Sequence, residues 1–576
     1  MKLHAVPSGK NDYILYYAKS IRVGSKTTTK NVERIGKLSE LKTDTCPDPI
    51  AYYKALAKQR TEEGRVPSCF TVDETKKIDT KKKKKVRLGY IFPQQTYYAL
   101  GLDDCMRRIS HVSKMKFDFC RIVRDLVCGR LIDPLSKMAT YRLASSFPEP
   151  PDYQLEDVYR ALKKINSKFD YIQKQAYAGS KEYAEVNTDV VYYDCTNFYF
   201  EIEEQDGFRN YGHSKENRPN PIVQMGLFLD RNGIPISMCI TKGSESEQKT
   251  MIPLEKKMTQ DFGIRKFIVC ADCGLSGSKN LKFNSNESRG FVVTKSLKKV
   301  TKEMRDHLMG ETGWKRLGDS SGRTYSLSEF RGKDEYLDAY FYHDEKFVGK
   351  DGFEERIVTT YNERMRRYQG SIRDGQVQRA FKLIKEGKIK LRKKNQNDPR
   401  RFVKAEHATK DGEAAEEVVV TIDNELIEKE RAYDGFYAVT TDLDDDVGTV
   451  IRVNKGRWEI EESFRILKSE LGARPAFVSL EECIRAHFLC CYLSLLVFRV
   501  LEQRMAGTGE SYTAFQIIDS IKGYDAIDMG NFYIGAMEGD ACSALEKATG
   551  LSGSTEALSK ARFRALVKRS KEKPKV

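Results

Sequence analysis

The chain has 576 residues, with Lys plus Arg at 99 and Asp plus Glu at 83, for a formal net charge of +16 at pH 7. At roughly 150 residues per domain this length exceeds one ordinary domain, and it suffices to bury a core without disulfides or metals as staples. Hydrophobic residues at 40% with 10% aromatics exclude a mostly disordered chain, and the basic excess points to a polyanionic partner, nucleic acid before an anionic membrane surface.

No stretch reaches the roughly 18 apolar residues of a membrane helix. The longest apolar run, Phe488 to Phe498, is flanked by Arg485 and Arg499 and reads as a buried helix. Lys2 and Lys10 are not followed by an apolar segment, so no secretory signal is expected. The 13 Cys are odd in number and scattered, unlike a disulfide framework, so reduced thiols and a cytosolic location are expected. Cys270 and Cys273 form a lone Cys-x-x-Cys, and neither a second pair nor the scattered His complete a zinc set.

Residues 1–75 read as a small β element, with alternation through Tyr13-Ile14-Leu15-Tyr16-Tyr17 and Ser20-Ile21-Arg22-Val23 and a turn at Gly24. Residues 76–94 form a basic linker. Its unbroken run Lys81 to Lys85, with Lys76, Lys77 and Arg87 beside it, suits a solvated linker or a phosphate-tracking arm. Residues 95–188 are predicted helical from the spacing of Phe117, Cys120, Ile122, Val123, Leu126 and Val127, with breaks at Pro134 and at Pro148 to Pro151. This region is a candidate for DNA binding or a packing layer, without a single helix-turn-helix signal.

From residue 189 the pattern becomes α/β. Val190 to Ile202, Ile222 to Asp230 and Ile234 to Lys242 are strands, and Asn232-Gly233 marks a hairpin between the last two. A helix follows from about Thr250 to Phe262, with Pro253 in its first turn. Lys266 to Ala271 is a fourth strand, Leu275 to Leu281 starts a short helix, and Gly290 to Thr294 is a fifth strand. Residues 189–296 thus give the order β-β-β-α-β-α-β. Residues 297–450 are predicted to be a β-rich insertion, with strands at Tyr336 to Tyr342, Glu417 to Ile422 and Gly435 to Thr441. A basic helical arm spans Arg364 to Arg401, where backbone contact with DNA is favoured over a plain solvated face. Residues 451–505 hold the final helices of the core. Ile460, Phe464, Leu467 and Leu471 make an apolar stripe on a helix from Arg457 to Leu471, and a second helix runs from Ile484 to about Leu501. Residues 506–576 form a C-terminal region with a basic tail.

Three acidic residues stand out. Asp194 follows the apolar run Val190 to Tyr193 and so ends or centres a buried strand, and Asp272 follows Phe267 to Ala271 at the C-terminal end of another, where open α/β sheets place their sites. Glu461 lies on the amphipathic helix and shares a face with Arg457, Arg465 and Lys468. Glu459 and Glu462 are close by, but helical phase selects Glu461. Carboxylates gathered without a counter-charge repel. Mg²⁺ or Mn²⁺ removes that problem, and two such ions about 4 Å apart activate a water or 3′-hydroxyl at a phosphodiester. Cys195 follows Asp194, but strand alternation turns it to the opposite face, as core. Trp458 is a candidate for stacking on a flipped base or for packing at the helix edge. Lys215 and Arg218, near His213, sit in a predicted hairpin and are candidate DNA contacts.

The runs Tyr192-Tyr193-Asp194-Cys195-Thr196-Asn197, Tyr211-Gly212-His213-Ser214-Lys215, Cys270-Ala271-Asp272-Cys273-Gly274-Leu275 and Gly456 to Arg465 resemble the DDE transposases of bacterial insertion sequences. The similarity is to the group whose third motif reads Tyr-x2-Arg-x3-Glu-x6-Lys. Arg457, Glu461 and Lys468 fall at its Arg, Glu and Lys, while Asn454 stands at the Tyr position. The resemblance covers about residues 189–470. It implies a ribonuclease-H-like catalytic core interrupted by a β-rich insertion, which accounts for the span 273–460 between Asp272 and Glu461. It implies a triad of Asp194, Asp272 and Glu461 holding two divalent ions, with cleavage of double-stranded DNA at element ends and transfer of the exposed 3′-hydroxyl to target DNA. It also implies phosphate contacts from the third motif, a homodimer at synapsis and a nucleoid-associated place in a bacterial cytoplasm. A metal-dependent nuclease without strand transfer, and a catalytically silenced DNA-binding descendant, are the competing readings. The three carboxylates argue against the second of these, and Asn454 keeps it open. No membrane partner is expected.

Overall fold

In the first unit, alternating side chains along three extended segments build an antiparallel meander. The computed structural model describes residues 2–8, 12–23, 26–43, 46–63, 84–386, 397–408 and 417–573, apart from His213, Asn217, Arg265, Ser276, Glu287, Lys350 and Asp351. Gly24 and most of the lysine run, 81–83, lie outside these residues. The chain divides into two units, Met1–Asp79 and Thr80–Val576. In the first, β1 (Lys2–Pro7), β2 (Tyr13–Val23) and β3 (Lys26–Lys37) pair in that order. A register shift at Tyr17/Ala18 lets both neighbours be buried, which strict alternation forbids. Helix α1 (Pro49–Glu63) adds Arg60, whose guanidinium lies 4.6 Å over the Tyr17 ring.

The second unit opens with the two-residue strand β4 (Lys85–Val86). Six helices follow: α2 (Ile91–Ala99), α3 (Leu102–Val112), α4 (Phe119–Ile132), α5 (Lys137–Ala144), α6 (Leu155–Ser167) and α7 (Phe169–Tyr183). Side-chain caps fix some starts, as where Asp118 accepts the Arg121 N–H and Ser136 accepts the Ala139 N–H. Ile122, Val123, Val127 and Leu131 turn one face of α4 into the core. The buried Asp125 on the same helix accepts hydrogen bonds from Tyr90 (2.6 Å) and Tyr153 (2.9 Å).

The sheet carries the sequence-predicted order. Strands β5 (Val190–Tyr199), β6 (Ile222–Asp230) and β7 (Pro235–Lys242) pair antiparallel; helix α8 (Gln248–Phe262), β8 (Phe267–Ala271) and β9 (Arg289–Lys295) follow. Both β8 and β9 run parallel to β5, giving the spatial order β7-β6-β5-β8-β9. Gly233 makes the β6–β7 turn at φ +80, a conformation that favours glycine.

The insertion does not stand apart from this sheet. Its strands β10 (Trp314–Arg316), β11 (Thr324–Tyr325), β12 (Tyr340–Val348) and β13 (Glu354–Asn362) are followed by helix α9 (Glu363–Lys385), by a separate pair, β14 (Val403–Ala408) and β15 (Glu417–Ile422), and by β16 (Phe436–Thr441). β16 pairs antiparallel with β9 and extends the sheet to ten strands, ordered β11-β10-β12-β13-β16-β9-β8-β5-β6-β7. The strand expected from Tyr336 begins at Tyr340. Tyr336 ends a short 3₁₀ turn and folds its ring edge-on against Phe341.

Helices α10 (Val447–Lys455), α11 (Trp458–Lys468) and α12 (Glu481–Ala506) close the core. By length and composition α12 could cross a bilayer, but that apolar stretch is almost wholly inside the protein. Its Tyr492 donates to the Ile236 carbonyl (2.8 Å) and its Ser494 to that of Val127 (2.9 Å), so it ties the sheet to α4. A four-stranded sheet, β19 (Ala557–Ser559), β18 (Phe532–Met537), β17 (Tyr524–Asp528) and β4, finishes the unit. Lys85, the last of the lysine run, pairs there with the buried Asp525 (2.6 Å).

One buried acid makes this packing pH-dependent. Glu255 on α8 is fully buried, and among the described residues only Asn284 donates to its side chain (3.1 Å), with no partner for its Oε2 or for Asn284 Oδ1. Burial pushes its carboxyl up to about 7. A raised carboxyl stabilises the fold when protonated, so this contribution is lost as pH rises through about 7. Glu255→Gln should therefore unfold at higher urea than the wild type at pH 8, by on the order of 2–3 kcal/mol, with the difference shrinking toward pH 5. Equal urea midpoints at pH 8 would refute this.

Candidate active site

Strand register places the site. Tyr193 on β5 is level with Ala271 on β8, which is level with Val293 on β9. The next residue of each strand line, Asp194, Asp272 and Thr294, therefore forms a row across three parallel strands about 4.8 Å apart. Alternation puts all three on one face. Tyr192, Cys270 and Val292, two residues earlier, belong to the core that Ile460 and Phe464 of α11 also enter. Tyr193 and Cys195 point to the other face, against Met251, Leu254 and Met258 of α8. Cys195 is thus core, as its strand position predicts.

Helix α11 brings the remaining groups to this row. Gly456, just before it, sits so close to β5 that a Cβ there would lie 1.9 Å from the Tyr192 hydroxyl. Any side chain at 456 would push the start of α11 off the sheet. Arg457 then reaches over the row. Its Nη1 is 3.4 Å from Asp272 Oδ1 and its Nη2 is 3.5 Å from Glu461 Oε1. Nη1 also donates to Thr294 Oγ1 (2.7 Å), and the Tyr437 hydroxyl from β16 lies 2.7 Å from that same oxygen. The three glutamates of α11 separate cleanly. Glu459 pairs with Arg499 of α12 (3.5 Å) and Glu462 with Arg465 (2.5 Å), so Glu461 alone joins the Asp272 cluster.

Asp194 is held from the other side. The Lys215 ammonium is 3.7 Å from Asp194 Oδ1 and 3.5 Å from Glu247 Oε1, and it donates to the Cys195 carbonyl. Burial pushes the Asp194 carboxyl up to about 6. Lys215, the Cys195 N–H and Arg457 pull it back, and the charge of Asp272 adds to the rise. The charge of Asp272 acting on Asp194 places the two in one electrostatic centre. The site thus holds its carboxylates through two cations, Lys215 for Asp194 and Arg457 for Asp272 and Glu461.

The other candidates divide. Lys468 lies one step away, 3.5 Å from Glu216, which also takes Arg474 (3.0 Å). Arg218 and Arg474 each lie 4.9 Å over the Tyr199 ring. Arg465 turns to Glu462 and away from the carboxylates. Trp458 is 58% exposed, so its ring is not a packed helix edge. The arginines of the predicted basic arm are engaged within the insertion: Arg366 and Arg367 with Glu363, Arg373 with Asp434, and Arg401 with Glu430. Lys388 to Lys394 lie outside the described residues. Thr294, Tyr437, Glu247 and Glu216 were not singled out from sequence. Thr294 had a signal, since it ends an apolar strand run as Asp194 and Asp272 follow theirs. Tyr437 had none, because its partner strand is 143 residues from Thr294 in sequence.

The donor set suits hard divalent cations, which take carboxylate oxygens and few protein ligands. Among the described residues no three acidic, His or Cys groups stand close enough to enclose one ion as they are placed. Lys215 and Arg457 take up the carboxylates in that arrangement. The residues present fit Mg²⁺ or Mn²⁺ by donor chemistry, with Asp194, Asp272 and Glu461 as the groups that would hold it.

Two aspartates level on neighbouring parallel strand lines, met by a glutamate from the covering helix, define a carboxylate-centred site in a mixed α/β fold. A family model described as the transposase DDE domain matches residues 188–481, from just before β5 to the start of α12. The chain belongs to the DDE transposase family, which implies a nucleic-acid-cleaving enzyme. Among solved structures, the chain is similar to that of a piggyBac transposase synaptic complex with hairpin DNA, at 9% identity and a TM-score of 0.37, covering 84% of this chain and 85% of that one. No match was found among curated proteins.

If Arg457 is the shared counter-ion, removing it leaves like charges facing one another. Arg457→Ala should lose on the order of 1–2 kcal/mol of stability in EDTA, and Mg²⁺ should raise its melting temperature more than it raises that of the wild type. An equal Mg²⁺ response in both proteins would count against the shared role.

Proposed function

We propose that this protein is a DNA transposase that cuts double-stranded DNA at the ends of its element and joins the freed 3′-hydroxyl to target DNA. The observation that carries the reading is the convergence of Asp272 and Glu461 on Arg457, beside Asp194. The spatial order β7-β6-β5-β8-β9, with three antiparallel strands followed by two parallel ones, supports a ribonuclease-H-like core. The insertion strands enlarge that core sheet.

In this reading Asp194, Asp272 and Glu461 hold two divalent ions, Mg²⁺ or Mn²⁺. Those ions supply activation of the attacking oxygen and stabilisation of the leaving one. The chain's own residues do the rest. Arg457, kept in place by Thr294 and Tyr437, faces a phosphate with its guanidinium while its stem stays buried. Lys215 and Lys468 add positive charge on the Asp194 side of the row, with Arg218 near Tyr199. Trp458 and Arg465 present an exposed aromatic and a cation on the outer face of α11, suited to DNA stacking and backbone contact. The third-motif spacing of Arg457, Glu461 and Lys468 supports a place among transposases of bacterial insertion sequences, acting as a homodimer at synapsis in a nucleoid-associated setting.

The test is cleavage of a labelled duplex carrying the DNA that flanks the gene. Glu461→Gln should bind that duplex as the wild type does. Its Mg²⁺- or Mn²⁺-dependent cutting should fall by more than the roughly 10–100-fold typical of a group one step removed from an ion. Cutting without strand transfer would favour a nuclease. Tight binding without cutting by the wild type in any metal would mark a silenced descendant, with Asn454 at the motif Tyr position as the first residue to restore.

A further inference from the structure

Glu247 lies outside the triad, yet its backbone is tied to β5 and its neighbour to the turn that follows Asp272. It immediately precedes α8. Its carbonyl accepts from Thr250 Oγ1 (2.6 Å), and that oxygen is 2.6 Å from the Tyr193 hydroxyl on β5. Its neighbour Gln248 donates to the Gly274 carbonyl (3.1 Å), two residues beyond Asp272. The side chain stands between Lys215 and the Gly274 turn that follows Asp272. One of its oxygens faces Lys215 at 3.5 Å, and the other lies 3.9 Å from where a Cβ on Gly274 would be.

Lys215 is thus shared almost evenly between Asp194, at 3.7 Å, and Glu247, at 3.5 Å. An ammonium so close to Asp194 is repelled once that carboxylate holds a divalent cation. With Asp194 as its one acidic partner, Lys215 would compete with the cation for the carboxylate. With Glu247 beside it, Lys215 keeps an anionic partner and stays at the site.

We propose that Glu247 is a positioning residue that takes the Lys215 ammonium from Asp194, freeing that carboxylate for a divalent cation while keeping Lys215 beside the DNA phosphate. This inference rests on the proposed metal-dependent reading, and its signature is a dependence on Lys215. A carboxylate that held the ion directly would matter whether or not Lys215 were present; a relay for Lys215 matters only when the ammonium is there.

The experiment is Mn²⁺ binding to the full chain without DNA, followed by calorimetry and by Mn²⁺ electron paramagnetic resonance. It compares the wild type with Glu247→Gln, Lys215→Met, the double variant and Asp194→Asn, with circular dichroism and melting temperature confirming that each folds. Glu247→Gln should weaken Mn²⁺ binding about tenfold, while the same change on the Lys215→Met background should alter it less than about twofold. Glu247→Asp, which keeps the charge one methylene further back, should fall between and serves if the Gln variant does not fold. Equal weakening on both backgrounds would overturn the relay, as would no weakening on either. If the wild type binds no Mn²⁺, or Asp194→Asn binds it unchanged, the metal-dependent reading itself fails and the inference goes with it.

Discussion

The structure turns on the charge problem created when two adjacent parallel strand lines carry aspartates side by side, Asp194 midway along β5 and Asp272 just past the end of β8. Asp194 and Asp272 follow level residues of adjacent parallel strands and face the same side. Burial raises the proton affinity of Asp194, and the charge of Asp272 beside it adds to that rise. The protein answers with cations held by their own scaffolding. Thr294, next in the row, fixes Arg457, and Tyr437 fixes Thr294. The bare Cα of Gly456 lets α11 begin close enough for Arg457 to arrive at all. Lys215 approaches from the β5–β6 connection and meets Asp194 from the opposite side.

This view gives the insertion a role in the site. β16 pairs with β9 and so delivers Tyr437 beside Thr294. The insertion's arginines are used mostly within it. The bidentate Arg373–Asp434 pair, at 2.7 and 2.5 Å and buried, ties α9 to the residues just before β16. Charge counted from sequence as a DNA-facing arm is therefore spent in part on holding the strand that supplies Tyr437. On the far side of α11, Arg499 of α12 does comparable work, binding Ser463 (2.9 Å) and pairing with Glu459. That leaves Glu461 as the helix's free-facing acid, 65% exposed.

Much of this was legible in the chain. Apolar runs with period two gave the strands, Asn232-Gly233 the hairpin, and the spacing of Ile460, Phe464 and Leu467 the buried face of α11. The same helical phase singled out Glu461 among three glutamates. What misled was composition read without partners. Trp458, open from sequence to either stacking or packing, is exposed and so is not packed at the helix edge. The Arg364 to Arg401 stretch looked available for DNA, yet Glu363, Asp434 and Glu430 occupy several of its arginines. Tyr336 was placed in the strand-like run to Tyr342, but its ring covers Phe341 from a turn.

The sequence by itself determined where most strands and helices lie, which face of each is apolar, and that two aspartates each follow an apolar strand run. Those properties follow from local periodicity, since successive side chains alternate along a strand and repeat every 3.6 residues along a helix. Only the tertiary structure decided that Asp194, Asp272 and Thr294 share a row, that Arg457 serves two carboxylates, and that Tyr437 and Glu247 belong beside them. Register between strands and contacts across 143 residues come from how sheet and helices pack, and no local pattern in the chain encodes which distant hydroxyl or carboxylate will meet a given cation.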